Sequence, residues 1–264
     1  MPFPPPVPVD CHRIDLDLPR PAGSDAWLST TEQARAARFR FTHLQERYRA
    51  TRVALRALLG QRLGIAPQAV SFVRGQHGKP RLDPAHGSPL HFNLSHSEGV
   101  AWIAIGACPL GIDLELNTRP VRLLDSLPER VATPAELATL RALPPALLQA
   151  AFLLMWTRKE AALKAWGLGI SSMGSLASLD TCLPDPDNLP ALLGTPLPTM
   201  LPPARIEPPG QGDAAGQPPL HVHSHCLESE ILSVTSPEDI LPTLHRPHPP
   251  FLAPPPAAVR HDRR

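Results

Sequence analysis

The sequence predicts an α+β fold in two halves, each with one long helix and several strands. Three observations carry that prediction. A helical pattern opens near Thr42 and another spans Pro145 to Trp166. Short apolar stretches of strand character lie between and after them. Glycine or proline marks most of the boundaries. With 264 residues the chain can bury a substantial core, as one large domain or two small ones.

The elements follow in order. Met1 to Asp10 is proline-rich and lacks the basic start and apolar run of a secretory signal, and residues 1–26 form an N-terminal segment. Ser29-x-x-Glu32 and Thr42-x-x-Gln45 have the form of capping boxes. The second opens a helix to about Leu59, with Leu44, Tyr48, Leu55, Leu58 and Leu59 on or near one face and Gly60 as its stop. Ala69–Val73, Pro89–Leu94, Val100–Ala107 and Gly111–Leu116 read as strands. The break at Cys108-Pro109 is a hinge, dividing a first half, 27–108, from a second, 109–235. Thr133-Pro134-Ala135-Glu136 starts a helix with proline in its first position. Pro145–Trp166 is a mostly apolar helix that stops at Gly167, and such a helix belongs at the centre of a fold. Ser175–Cys182, Leu220–Leu227 and Glu230–Val234 read as further strands. More than half of the 36 prolines follow Leu183. Residues 183–220 therefore read as a proline-rich insertion and 236–264 as a disordered tail, unable to offset their ordering entropy by apolar burial.

Bulk properties narrow the function. A net charge of +1 gives no sign of broad nucleic-acid binding. Cys11, Cys108, Cys182 and Cys226 are widely spaced, which fits a reducing compartment better than a disulfide scaffold or zinc ribbon. The longest apolar stretch, Val100 to Ile112, is too short to span a bilayer and contains Pro109. The expectation is a soluble, cytoplasmic protein.

Three stretches carry chemistry. Asp113 and Glu115 stand two apart in a strand and so share a face. On their own they read equally as solvated residues opposite an apolar face of Ile112, Leu114 and Leu116. Glu160 and Lys164 stand four apart in a helix and share a face too. An ordinary surface pair would look the same, but this helix is apolar around them, with Trp156 one turn before Glu160. Buried charges need partners or a metal. If the three carboxylates converge, they make an all-oxygen site suited to magnesium. Asn93-Leu94-Ser95-His96-Ser97 is the third stretch, with His96 near a turn before Gly99, where it is either structural or a donor to phosphate. Gly78-Lys79-Pro80 fixes a lysine in a turn. Eight arginines between Arg35 and Arg62 read mostly as a solvated helix face, with one or two available for bidentate phosphate binding. His221, His223 and His225 alternate on a strand as a conceivable transition-metal site without an evident fourth ligand.

Together the motifs resemble the Sfp-type 4'-phosphopantetheinyl transferases. GIDLE at 111–115 and WTRKEAALK at 156–164 match the paired signature, and FNLSHS at 92–97, GKP at 78–80 and ERYR at 46–49 match further elements. The likeness covers roughly residues 27 to 175. It implies two similar α/β subdomains in a pseudo-dimer, with coenzyme A and Mg²⁺, or Mn²⁺ in its place, between them. It implies transfer of the phosphopantetheine arm to a serine of an acyl or peptidyl carrier protein by a cytoplasmic monomer, with release of 3',5'-ADP. Asp113, Glu115 and Glu160 would hold the metal. Glu160 and Lys164 would be catalytic. Arg49, Lys79, Ser95, His96 and Lys164 would bind coenzyme A, with Arg49 and Lys79 on its 3'-phosphate. The alternatives are another Mg²⁺-dependent phosphoester enzyme, such as a nucleotide hydrolase, and a non-catalytic carrier-protein adaptor.

Overall fold

The computed structural model describes residues 5–75, 78–118, 120–122, 124, 126–168, 176–193 and 199–246. Eleven strands and six α-helices are present among them. The first half of the chain contains β1 (Val7–Asp15), α1 (Thr30–Ala37), α2 (Thr42–Leu63), β2 (Phe72–Arg74), β3 (Pro80–Leu82), β4 (His91–Ser97) and β5 (Val100–Gly106). The second contains β6 (Gly111–Leu116), α3 (Leu127–Val131), α4 (Pro134–Ala142) and α5 (Pro145–Trp166). It continues through α6 (Leu189–Leu193), β7 (Thr199–Met200), β8 (Ala204–Ile206), β9 (Leu220–Leu227), β10 (Glu230–Ser236) and β11 (Ile240–His245).

Two large sheets, each backed by one 22-residue helix, make the fold, and β2 and β3 pair as a small third sheet. Sheet one runs β11-β1-β5-β4, and α2 covers one face by packing Ala54, Leu55, Leu58 and Leu59 on Ile14, Phe92, Ile103 and Ile105. Sheet two runs β6-β10-β9-β7, with β8 also on β9. The opposite faces of the sheets meet over Val9, Cys11, Trp102 and Ala104 from one and Ile112, Leu114, Leu232 and Val234 from the other. Buried Glu230 joins them, accepting from Trp102 Nε1 and from Arg13 Nε at 2.7 Å each. A buried carboxylate needs such partners. Helix α5 is central, as its composition predicts. Sheet two lies on one side of it, and α3, α4 and α6 contribute to the apolar cluster on the other.

The Ser29–Glu32 capping box forms, and so does one at Thr133–Glu136. Helix α5 stops at Gly167 in the left-handed region, as expected. Other expectations need correction. Thr42 does not cap α2; Phe41 takes that place, and Gln45 turns back to the Phe39 carbonyl. The helix passes Gly60 and stops at Gly64 (φ 67°). Gly60 serves another purpose, since a β-carbon there would lie 2.8 Å from the Ile65 carbonyl oxygen. The strand expected at 69–73 starts at Phe72, after a 3₁₀ turn at Pro67–Ala69. The strand expected at 89–94 runs from His91 to Ser97, so the NLSHS stretch is strand, and the turn falls at Glu98-Gly99.

Residues 176–182 are not a strand. Their carbonyls go instead to buried cations of α5: Arg158 takes those of Thr181 and Cys182, and Lys159 those of Leu176 and Leu179. Ser175 lies outside the described residues. The insertion 183–220 carries α6, β7 and β8. The N-terminal segment supplies β1, and the expected tail supplies β11, which pairs with β1 in parallel. Val9 and Ile240 are buried in the inter-sheet core, with Val7 and Leu244 packed against it, and that burial offsets the ordering cost that proline density suggested. The rest of the expected tail, from 247, lies outside the described residues. No helix among the described residues is long and apolar enough to cross a membrane.

Candidate active site

The site lies where β6 meets α5. Strand alternation sends Ile112 and Leu114 into the inter-sheet core and leaves Gly111, Asp113 and Glu115 for the helix. Thr235 anchors the contact by donating to the Ala161 carbonyl at 2.9 Å, beside Gly111 on the next strand. Glu160 and Lys164 share the facing side of α5. Asp113 is 5% exposed and Glu160 4%.

Lys164 Nζ donates to Asp113 Oδ1 at 2.6 Å, to Ser95 Oγ at 3.1 Å and to the Ile112 carbonyl at 3.2 Å. Ser95 Oγ donates to the same Asp113 oxygen at 2.8 Å. Asp113 Oδ2 and Glu160 Oε1 are buried and have no partner. Burial and the Asp113 charge push the Glu160 carboxyl above its usual range, against the pull of Lys164. Glu115 is pushed up to about 7, first by burial, then by Asp113 and Glu160, with Lys164 and the Trp156 indole pulling the other way. The two glutamates are thus raised by burial first and by neighbouring carboxylates second, with Lys164 offsetting part of the effect.

The supporting residues are buried. Thr157 shares a hydrogen bond with Ser233. Lys159 pairs with Glu136 at 2.7 Å, and Glu136 also accepts from the Thr133 and Thr181 amides. These contacts fix the turn of α5 that presents Glu160.

Sheet one supplies the other wall. His96 stands at the surface near the end of β4, close enough to Lys164 and Asp113 for both to act on it, and partial loss of solvent around the ring, with the Lys164 charge, lowers its pKa against the pull of Asp113. Ser95 touches Asp113 and Lys164, so its hydroxyl serves the carboxylate. Lys79 Nζ donates to the carbonyls of Leu110 (2.8 Å) and Lys164 (2.5 Å), and burial lowers it to about 8. Arg49 pairs with Glu46 at 3.0 Å, so Arg49 and Lys79 have separate partners. The arginine run is largely committed rather than solvated. Arg52 and Arg56 clamp Glu32, Arg47 pairs with Asp17 and Arg62 with Asp10. A groove of about 570 Å³ lies apart from the carboxylates, between residues 16–25 and the start of α2, lined by Asp17, Arg20, His43 and Glu46 among others.

Two residues were not singled out from sequence. Asn93 Oδ1 accepts from the Ile112 amide at 3.0 Å. Its signal was the spacing of two from Ser95, which puts both on one face of a strand. Gly111 is the second, and only the packing reveals its role.

As the side chains stand, no three His, Cys, Asp or Glu residues among those described are gathered to hold an ion. Lys164 takes one Asp113 oxygen instead. The donor set still fits a small, oxygen-seeking cation, with two orphaned carboxylate oxygens and two glutamates raised by burial and neighbouring acid. His223 and His225 are buried on β9 with unpartnered Nε2 atoms, and no third ligand joins them among the described residues.

Comparison with known proteins points one way. The profile of the 4'-phosphopantetheinyl transferase superfamily matches residues 109–200, and that of the 4'-phosphopantetheinyl transferase N-terminal region matches 24–108. The 4'-phosphopantetheinyl transferase HetI of Nostoc sp. is 44% identical over 169 residues, covering 62% of this chain and 71% of the relative. AcpT of Salmonella typhimurium, named for the same activity, is 35% identical over 60% of this chain and 82% of its own length. Sfp of Bacillus subtilis is 28% identical over 50% of this chain and 58% of its own.

Proposed function

The chain belongs to the 4'-phosphopantetheinyl transferase superfamily, and from that premise we propose that the β6–α5 site catalyses the family's reaction. It transfers the 4'-phosphopantetheine arm of coenzyme A to a serine of an acyl or peptidyl carrier protein, converting apo carrier to holo. A bond forms between the serine oxygen and the phosphorus bearing the arm. The bond from that phosphorus to 3',5'-ADP breaks. The observation that carries this reading is the meeting of Asp113 with Glu160 and Lys164, from two distant motifs, with two buried carboxylate oxygens left unpartnered.

The residues divide the work. Glu160, raised by burial, takes the serine proton, directly or through a water. Lys164 neutralises charge developing on the departing phosphate. Asp113, Glu115 and Glu160 would hold Mg²⁺, or Mn²⁺ in its place, and the ion would supply Lewis-acid neutralisation of the diphosphate. Ser95 keeps Asp113 oriented. In this reading His96 donates to a phosphate and Arg49 holds the 3'-phosphate. Lys79, committed to two carbonyls, acts chiefly by joining its turn to the end of α5. The reading extends to a cytoplasmic monomer. All four cysteines are free, which suits a reducing compartment.

The test is transfer from coenzyme A to an apo carrier, in chelator and then with Mg²⁺ restored. Activity should require the metal. Asp113→Ala and Glu160→Gln should each lower kcat by about a hundredfold or more while circular dichroism shows a folded protein. Near-normal rates in both variants at saturating Mg²⁺ would remove these carboxylates from the site.

A further inference from the structure

Strand β6 is an open edge of sheet two, and β4 is an open edge of sheet one. The edges lie side by side, but they belong to different sheets and form no ladder among the described residues. An edge strand leaves alternate amides and carbonyls without strand partners. At a buried edge each such group is costly. Here side chains take them. The Ile112 amide goes to Asn93 Oδ1 at 3.0 Å and the Ile112 carbonyl to Lys164 Nζ at 3.2 Å. The Leu110 carbonyl goes to Lys79 Nζ at 2.8 Å.

Asn93 is the member of this set that holds the amide immediately before Asp113. It is 8% exposed, and Ile112 is fully buried. Two residues along the same face of β4, Ser95 donates to the Asp113 carboxylate. One strand thus offers an acceptor for the backbone and a donor for the side chain, in register with one residue's spacing on its neighbour. A neutral carboxamide suits the place. A leucine of similar size would leave the Ile112 amide unpaired. An aspartate would keep the acceptor but add a negative charge to an already acidic cluster.

We propose that Asn93 is a positioning residue for the transfer reaction: through the Ile112 amide it fixes the aim of the Asp113 carboxylate. Its effect on turnover rests on the function proposed above; the hydrogen bond itself does not.

The experiment compares the full-length protein with Asn93→Leu, Asn93→Asp and Ile105→Val, the last a control in the core under α2. Hydrogen exchange at the Ile112 amide is read by NMR, beside kcat, the KM for coenzyme A and the half-saturating Mg²⁺. In Asn93→Leu, Ile112 should exchange roughly fivefold faster or more, the worth of one hydrogen bond. Its kcat should fall or its Mg²⁺ requirement rise by a similar factor, with KM within about twofold, the pattern of lost aim rather than lost substrate binding. Asn93→Asp should keep Ile112 protected, and Ile105→Val should leave exchange and Mg²⁺ requirement unchanged. If Asn93→Leu does not fold, Asn93→Ala takes its place. Wild-type exchange at Ile112 in the Asn93→Leu protein would overturn the proposal, as would fast exchange with unchanged kcat and Mg²⁺ requirement. A wild-type protein that transfers nothing and binds no Mn²⁺ in electron paramagnetic resonance would sink the metal reading; Ile112 exchange alone would then decide whether Asn93 holds the edge.

Discussion

Gly111 lies against Ala161 with no room for a side chain. A β-carbon on Gly111 would sit 1.9 Å from the Ala161 carbonyl oxygen and 2.6 Å from the Ala165 amide nitrogen. The close approach sets β6 directly on α5, and with it Asp113 within reach of Lys164. Gly111→Ala must push strand from helix. Overpacking of this kind costs about 3 kcal/mol or more, on the order of 6–12 °C in the unfolding midpoint. Calorimetry and a transfer assay should show both stability and activity reduced. A midpoint within a degree or two of wild type would mean that the strand and helix part easily.

Lys159 and Glu136 form an ion pair that is 0% and 1% exposed. Removing one partner leaves the other charged and buried. Lys159→Met should cost about 3–5 kcal/mol in urea denaturation. Lys159→Met with Glu136→Gln should recover part of that loss, since no uncompensated charge remains. A single variant of wild-type stability would contradict this role for the pair.

Glu115 gives a pH signature in metal-free protein. Its carboxyl is raised from 4.5 to about 7 by burial and by the neighbouring acids. Between those values the folded state holds a proton that the unfolded state has lost. This group's contribution therefore falls as pH rises from 4.5 to about 7 and stays low above that. Glu115→Gln removes the penalty. In chelator the variant should melt higher than wild type at about pH 8 and close to it at about pH 4.5. Mg²⁺ should narrow the difference at the higher pH. A larger gain at the acid end would reverse the sign and reject the assignment.

The meeting of the candidate side chains was largely legible because its order is local. A period of two put Asp113 and Glu115 on one side of a strand, and a period of four put Glu160 and Lys164 on one side of a helix. Those faces then met. Destinations across the fold were not legible. The turn at Gly78-Lys79-Pro80 could be read, but not that its lysine reaches the carbonyls of Leu110 and Lys164. Proline density after Leu183 suggested an insertion and a tail without structure, while β11 within that tail pairs with β1 over a separation that no local pattern reports. Residues 176–182 have a mixed pattern that passes for a strand until Arg158 and Lys159 are seen to take their carbonyls.

Mass spectrometry of an apo carrier protein, incubated with this chain, coenzyme A and Mg²⁺, tests the central claim most directly. The carrier should gain the mass of one phosphopantetheine arm on a single serine. 3',5'-ADP should appear in equal amount, and chelator should stop both. Apo acyl and peptidyl carriers that stay unmodified while coenzyme A is hydrolysed would contradict the account and identify the site as that of a phosphoester hydrolase.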